Sequence, residues 1–181
     1  MIKLEPAIFD NLSEEEISRT HEILRYAYAI TEIEIWGENY SRVSIDEFKE
    51  LIRRQEIILA RIENIIIGSI HTFKLNTDTF SFGLLSVDFE QKGNGIGRML
   101  ISAAEQRAID SGASFMDLEI LKSRDTEVPI KKVLHDWYLR LGYVYTDTFS
   151  FIERKPDKQE KAKSLIAPAV FDCYRKRLKA G

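Results

Sequence analysis

Between Leu84 and Leu100 the chain reads Leu-Leu-Ser-Val-Asp-Phe-Glu-Gln-Lys-Gly-Asn-Gly-Ile-Gly-Arg-Met-Leu. A strand ending near Val87 is predicted to run into a glycine-spaced turn, and the turn into a helix. Gly93, Gly95 and Gly97 leave the backbone N–H groups of the helix start uncovered by side chains. Those donors and the positive end of the helix dipole suit a phosphate, and Lys92 and Arg98 add formal positive charge to the same spot. Two commoner phosphate loops do not fit. GxGxxG would need glycine at 98, where Arg98 stands, and GxxxxGK followed by Ser or Thr is absent from the sequence. A Gly-x-Gly-x-Gly turn by itself is equally explained as a tight turn that binds nothing.

The elements that must position this turn can be read from start, stop and periodicity signals. Ser13 with Glu16, and Ser44 with Glu47, are capping boxes, predicting helices that run to about Ala29 and about Arg54. Glu56–Ile62 and Ile65–Lys74 read as a hairpin around Glu63 and Asn64, with Asn64 as the favourable turn residue. Thr79–Val87 is the third strand of the meander. The helix after the glycine turn is predicted from about Gly95 to Ser111, with Ile96, Leu100, Ala103, Ala104 and Ala108 at helical spacing and Gly112 as its stop. Phe115–Leu121 is a strand, Ile130–Leu141 a helix ended by Gly142, and Tyr143–Ile152 a strand. A charged stretch from Lys155 to Pro168 leads to a last strand, Ala169–Arg177. This order predicts a mixed α/β sheet, not a doubly wound fold or a barrel of eight βα units.

At 181 residues the chain is expected to be one domain, with acceptor-side helices over 1–55, a binding core over 56–152, and a charged loop with the last strand over 153–181. The sequence is 44% hydrophobic and 30% charged, which supplies a core and excludes disordered or low-complexity classes. A net charge of −3 argues against a nucleic-acid binder. The single cysteine, Cys173, excludes a disulfide framework or a cysteine-based zinc site, and the three histidines lack metal-ligand spacing. No basic start followed by an apolar stretch opens the sequence, and no run approaches the ~20 apolar residues of a membrane span. The expectation is a cytoplasmic protein with no membrane, nucleic-acid or metal partner. Charge is uneven: residues 1–50 carry 12 acidic and 5 basic side chains, residues 154–181 carry 9 basic and 3 acidic. Solvated surface or a dedicated binding field would each explain that asymmetry.

The segment Lys92-Gly93-Asn94-Gly95-Ile96-Gly97 after Val87-Asp88 resembles the pyrophosphate loop of the GCN5-related N-acetyltransferase (GNAT) superfamily. Lys92 stands where that loop usually has Gln or Arg. The resemblance continues in Met116-Asp117-Leu118-Glu119-Ile120, similar to the family's fifth strand, and in Trp137-Tyr138-Leu139-Arg140-Leu141-Gly142-Tyr143. It implies a single-domain α/β GNAT fold, mostly antiparallel, with a splayed parallel strand pair flanked by helices. It further implies acetyl-CoA as co-substrate. The backbone of Leu85, Ser86 and Val87 would pair with the pantetheine arm, and Lys92, Gly93, Asn94, Gly95, Ile96, Gly97 and Arg98 would hold the pyrophosphate. Lys131 departs from the family's Asn at that position, and the segment from Leu121 to Pro129 is longer than usual.

The activity implied is transfer of an acyl group to a small-molecule or peptide amine by direct attack in a ternary complex. A homodimer is compatible with it. An acyl-CoA sensor without turnover, or a nucleotide-binding domain using the same turn, remain as alternatives. By the resemblance Tyr138 is the general acid at the leaving sulfur and Glu119 the general base, often through water. From spacing alone, Leu134, Tyr138 and Leu141 also describe an apolar helix face, and Glu119 also fits a solvent-facing strand carboxylate. His71 and His135 read more readily as structural histidines, and Cys173 as inert core. Glu32, Glu34 and Glu38 beside Trp36 suggest a cationic acceptor held by carboxylates and an aromatic face.

Overall fold

The computed structural model describes residues 1–179, so the last two residues of the 153–181 segment lie outside the described residues. These fall into two compact units. The first takes in Met1–Tyr28, Ser41–Met116 and the chain from Leu178; the second takes in Ala29–Tyr40 and Asp117–Arg177.

In the first unit β1 (Ile2–Pro6), β2 (Ile57–Ile62), β3 (Ile65–Lys74) and β4 (Thr79–Val87) pair antiparallel in sequence order. Alternation along β2 decides which helix covers which face. Ile57 and Leu59 join Ile66 in a core cluster with Ile17 and Leu24 of α1 (Glu14–Thr31) and Phe48 and Ile52 of α3 (Ile45–Arg53). The opposite face carries Ala60 and its partner Gly68, and there Leu100 of α4 (Ile96–Asp110) closes over the sheet. Both predicted capping boxes are formed. Glu16 N–H donates to Ser13 Oγ and Ser13 N–H to Glu16 Oε2, and the Ser44–Glu47 pair repeats the pattern; each cap contributes about 1 kcal/mol.

The second unit holds β5 (Phe115–Ser123, from Asp117 on), α5 (Pro129–Arg140), β6 (Val144–Ser150), α6 (Phe151–Arg154), α7 (Gln159–Ala162) and β7 (Ala169–Arg177), with β7 between β5 and β6. It also holds α2 (Ile33–Trp36). Ile35 and Trp36 pack with Leu121, Phe151, Ala169, Phe171 and Cys173.

Several boundaries differ from the sequence expectation, each for a local reason. The strand predicted as Tyr143–Ile152 stops at Ser150, because Ser150 and Glu153 form a third reciprocal capping box that turns the chain into α6. Strand β1 has no counterpart in that expectation, since five residues with one proline give little periodicity. At the β2–β3 turn the positive φ falls on Glu63 and not on Asn64.

The connector from Ala29 to Tyr40 is anchored by a buried ion pair within the second unit. Lys131 Nζ lies 3.1 Å from Glu32 Oε2, and Trp36 Nε1 donates to Glu32 Oε1 at 3.3 Å. Both charged side chains are nearly inaccessible, at 7% and 1% exposure. Lys131→Met is expected to cost about 3–5 kcal/mol by stripping a buried carboxylate of this cation, and pairing it with Glu32→Leu should recover most of the loss. Denaturant unfolding of the single and double variants measures both; a single variant as stable as the parent would show that the pair does not hold the connector.

Candidate functional site

The site begins where β4 departs from regular pairing. Its register against β3 passes from Ser69↔Ser86 to His71↔Gly83, so Leu84 and Leu85 stand opposite Ile70 alone. This is a β-bulge, and Leu84 takes a left-handed φ of 49° to make it. On the far side of the bulge the two strands press together. A side chain at Gly68 would come within 2.7 Å of the Ser86 carbonyl oxygen, so only glycine fits there without a shift. Ser86 is buried, its hydroxyl 3.5 Å from that of Ser69.

Beyond Val87 the chain is directed by Asp88. Its Oδ1 accepts from Glu90 N–H, starting the 3₁₀ turn Phe89–Gln91, and its Oδ2 accepts from Arg19 Nη2 at 2.7 Å. Gly93 and Gly95 then take φ of +88° and +75°, and a Cβ at either would meet open space. Gly95 is the N-cap of α4. It offers no side-chain cap, the first turn carries no acidic residue, and Met99 N–H makes the bond to Gly95 O. The N–H groups of Ile96, Gly97 and Arg98 precede that bond and have no intrahelical acceptor. By contrast, α1 opens on three glutamates and α3 on Asp46 and Glu47. Lys92 and Arg98 are exposed at the same end, and Arg98 borders a shallow groove of about 510 Å³ along α4. Residues 84–87 and 92–98 therefore lie in one unit, the second segment ending in helix-start N–H groups without an intrahelical acceptor and flanked by two cations.

The two catalytic candidates lie in the second unit with different neighbours. Tyr138 is buried among aromatic rings, 5.1 Å from Trp137, 6.1 Å from Tyr143 and 6.5 Å from Tyr174. Glu119 is not a bare solvent-facing carboxylate: Arg154 Nε donates to its Oε1, and Lys155 Nζ lies 3.1 Å from its Oε2. His135 Nδ1 lies 2.6 Å from the hydroxyl of Tyr174, a phenol that burial raises above its usual range. Cys173 is buried, which pushes its thiol up to about 11. The long segment after β5 lines a cleft of about 660 Å³ with α5 and strands β6 and β7.

Two expectations are corrected. Glu32 is not an open carboxylate for a cationic acceptor, because Lys131 and Trp36 already occupy it. Trp36 does not present a face for stacking either, since Tyr40 lies on it at 4.4 Å and Phe151 meets it edge-on. Glu34 and Glu38 remain exposed. Part of the acidic charge of residues 1–50 is also paired locally: Glu5 and Glu16 both with Arg61, and Glu14 with Lys49. Sequence reasoning misses the bulge, for which Gly83 is the one available sign, and the contact of His71 with Glu56 at 2.7 Å, which follows once the hairpin register is known. Among the described residues no cluster of three or more His, Cys, Asp or Glu could hold a metal ion, and no helix is long and apolar enough to cross a membrane.

Comparison with known proteins bears on this arrangement. The PaiA N-acetyltransferase of Thermoplasma acidophilum, solved with coenzyme A, matches with a TM-score of 0.67 at 16% identity over 98% of this chain and 99% of that one. A GNAT family acetyltransferase from Elizabethkingia anophelis with acetyl-CoA bound gives 0.62 at 16% identity over 98% of each chain. An aminoglycoside 6'-N-acetyltransferase complexed with coenzyme A gives 0.66 at 17% identity over 97% and 96%. At such identities the likeness is one of fold, a mixed α/β architecture shared along the chain. No curated protein matches. The sequence profile of the acetyltransferase (GNAT) domain matches residues 11–150, and the chain belongs to the GNAT acetyltransferase family.

Proposed function

We propose that this protein is an N-acetyltransferase that takes acetyl-CoA as co-substrate and acylates a primary amine of a small molecule or peptide by direct attack. The observation that carries the reading is the uncapped, cation-flanked start of α4 directly after a bulged strand. A pyrophosphate brings the negative charge that this helix start lacks, and the open space over Gly93 and Gly95 lets it approach the backbone. Lys92 and Arg98 would neutralise it further, with Asn94 and Ile96 as part of the same backbone cradle. Leu85, in the bulge, and Ser86 and Val87 after it would offer peptide groups to the amides of the pantetheine arm. Acetyl-CoA supplies a thioester carbonyl open to attack and a thiol leaving group; the solved neighbours named above carry coenzyme A or acetyl-CoA.

Two demands then fall on the chain's own residues. An alkylammonium acceptor is about 0.04% neutral at pH 7, a handicap of roughly 4.6 kcal/mol, so its proton needs an acceptor. The departing sulfur needs a donor. Tyr138 is the candidate for the second: a phenol hydrogen-bonds a sulfur as charge develops there. Glu119 is the sequence candidate for the first, and in that role it would have to work with both oxygens engaged by Arg154 and Lys155.

Gly95→Ala places a Cβ in the open space of the turn and strains a residue at φ +75°. It is expected to raise the acetyl-CoA dissociation constant at least tenfold, roughly 1.4 kcal/mol, by calorimetry on the folded variant. An unchanged constant would remove the turn from the site. Tyr138→Phe keeps the ring and its packing and removes the hydroxyl. It should lower kcat by about 10²–10⁴-fold while leaving acetyl-CoA affinity nearly unchanged. A kcat within threefold of the parent, with chemistry rate-limiting, would leave Tyr138 as core alone.

A further inference from the structure

The proposed reaction needs a proton acceptor for the amine, and the first unit contains a half-buried His–Glu dyad to which the acyl-transfer reading gives no role. We infer that His71 takes the proton from the acceptor ammonium, with Glu56 as the positioning residue that orients its ring. The inference rests on the acyl-transfer reading and adds a catalytic residue to it.

Position is the first support. His71 is the direct cross-strand partner of Gly83, the residue that precedes the bulge at Leu84 and Leu85, and such partners project to the same face about 4.5–5.5 Å apart. On its other side His71 faces Ile57, a member of the core beneath α1 and α3, so the imidazole lies on that face of the sheet. Gly83 contributes no side chain there, and a Cβ at Gly83 would meet nothing within 4 Å. An open space therefore adjoins the ring on the stretch of β4 that precedes the backbone proposed to hold the thioester arm. The ring is partly accessible, at 14% exposure.

Ring chemistry is the second support. His71 Nε2 lies 2.7 Å from Glu56 Oε2. A carboxylate only accepts, so Nε2 carries the hydrogen and Nδ1 presents the lone pair of a neutral imidazole. Phe73 stacks on the ring at 4.7 Å and fixes its plane. The charged groups acting on it are Glu56 at the start of β2, Arg54 after α3 and Arg107 on α4. Burial holds the imidazole below its ordinary value, Arg54 and Arg107 push the same way, and Glu56 opposes them. The ring is thus neutral at pH 7, and Glu56 stabilises the imidazolium once a proton arrives.

The step balances without a further reactant. The ammonium gives one proton to His71 Nδ1 and becomes the neutral amine. Its lone pair forms the C–N bond to the thioester carbonyl carbon, and the C–S bond breaks with its electron pair on sulfur. The second nitrogen proton ends on that sulfur, giving amide and free thiol, and the imidazolium returns its proton to water.

The test combines calorimetry with acetyl-CoA, and free-thiol release with spermidine, L-lysine, tyramine and an unblocked tripeptide as amine probes. With the best probe, kcat/KM of the parent is expected to be flat between an inflection below about 6.5 and the amine's own ionisation. His71→Gln should lower it about 10²–10⁴-fold at pH 7 and replace the plateau by a steady rise toward the amine's pKa, with acetyl-CoA affinity within twofold of the parent. Glu56→Gln should give a smaller loss and a displaced inflection. A plateau that survives His71→Gln, or a loss under threefold, overturns the assignment and leaves the acyl-transfer reading standing. A parent that binds acetyl-CoA and acylates none of the probes overturns both. Nitrogen-15 titration of the parent protein needs no variant: Nδ1 is expected to be the titrating nitrogen, with Nε2 protonated throughout, and a proton on Nδ1 at pH 8 would also overturn it.

Discussion

Strand β4 pairs with β3 on both sides of Leu84, but the register between the two strands breaks at that residue. That residue adopts a left-handed backbone, a conformation costing of order 1–2 kcal/mol for a residue with a side chain. What holds it is packing on either side of the break. The Leu84 side chain lies against the core formed with α1 and α3, and beyond the bulge the strands are drawn close enough that Gly68 can carry no Cβ. A bulge with loose strands around it would slip back into register; here Gly68 and Ser86 fix one side and His71 and Gly83 the other.

The same logic appears in how the helices begin. Three helices, starting after Ser13, Ser44 and Ser150, use the reciprocal Ser–Glu box and so satisfy their first donors internally. Helix α4 uses a left-handed glycine, no capping side chain and no acidic residue. The start of α5 likewise has no capping side chain and no acidic residue, with Pro129 in its first turn, so what sets α4 apart from it is the left-handed glycine at its N-cap. Elsewhere charge is neutralised locally. Arg61, with only 11% of its side chain exposed, takes Glu5 and Glu16 together; Lys3 and then Arg61 hold the Glu5 carboxyl below its ordinary range, and the Ser13 N–H and then Arg61 hold that of Glu16, so the acidic N-terminal segment is less of a field than its sequence count implies.

Much of this is legible in the order of residues, and the failures follow a pattern. Local signals hold: the capping boxes at Ser13 and Ser44, the strand Thr79–Val87, and the glycine stops at Gly112 and Gly142 all lie where spacing puts them. The glycine turn is legible because it needs only neighbours in the chain, three glycines between two cations at one helix start. What stays hidden depends on residues far apart. Nothing local to Lys131 says that it reaches Glu32, 99 positions away, and thereby removes a carboxylate from any acceptor pocket. Nor does Glu119 announce that Arg154 and Lys155, at the start of the charged stretch after a predicted strand, will close on it. The third box at Ser150 is present in the sequence, but strand-like alternation before it masks the signal.

The three histidines make a last argument about what burial does to one residue type. His21 lies 2.6 Å from the carbonyl of Val43, His135 Nδ1 lies 2.6 Å from the phenol of Tyr174, and His71 donates to the carboxylate of Glu56. A phenol can donate to a ring nitrogen or accept from it but brings no full charge, and Tyr174, raised by its own burial, keeps its hydrogen. A carbonyl orients a ring but brings no full charge. A carboxylate does both: it selects the tautomer and lowers the cost of the imidazolium at the moment it forms, while burial keeps the resting ring neutral. The two act in opposite directions on the imidazolium throughout, and the carboxylate offsets part of the cost of burial when the proton arrives. Of the three partners, only Glu56 brings a full charge to its ring, and that ring lies beside the bulge.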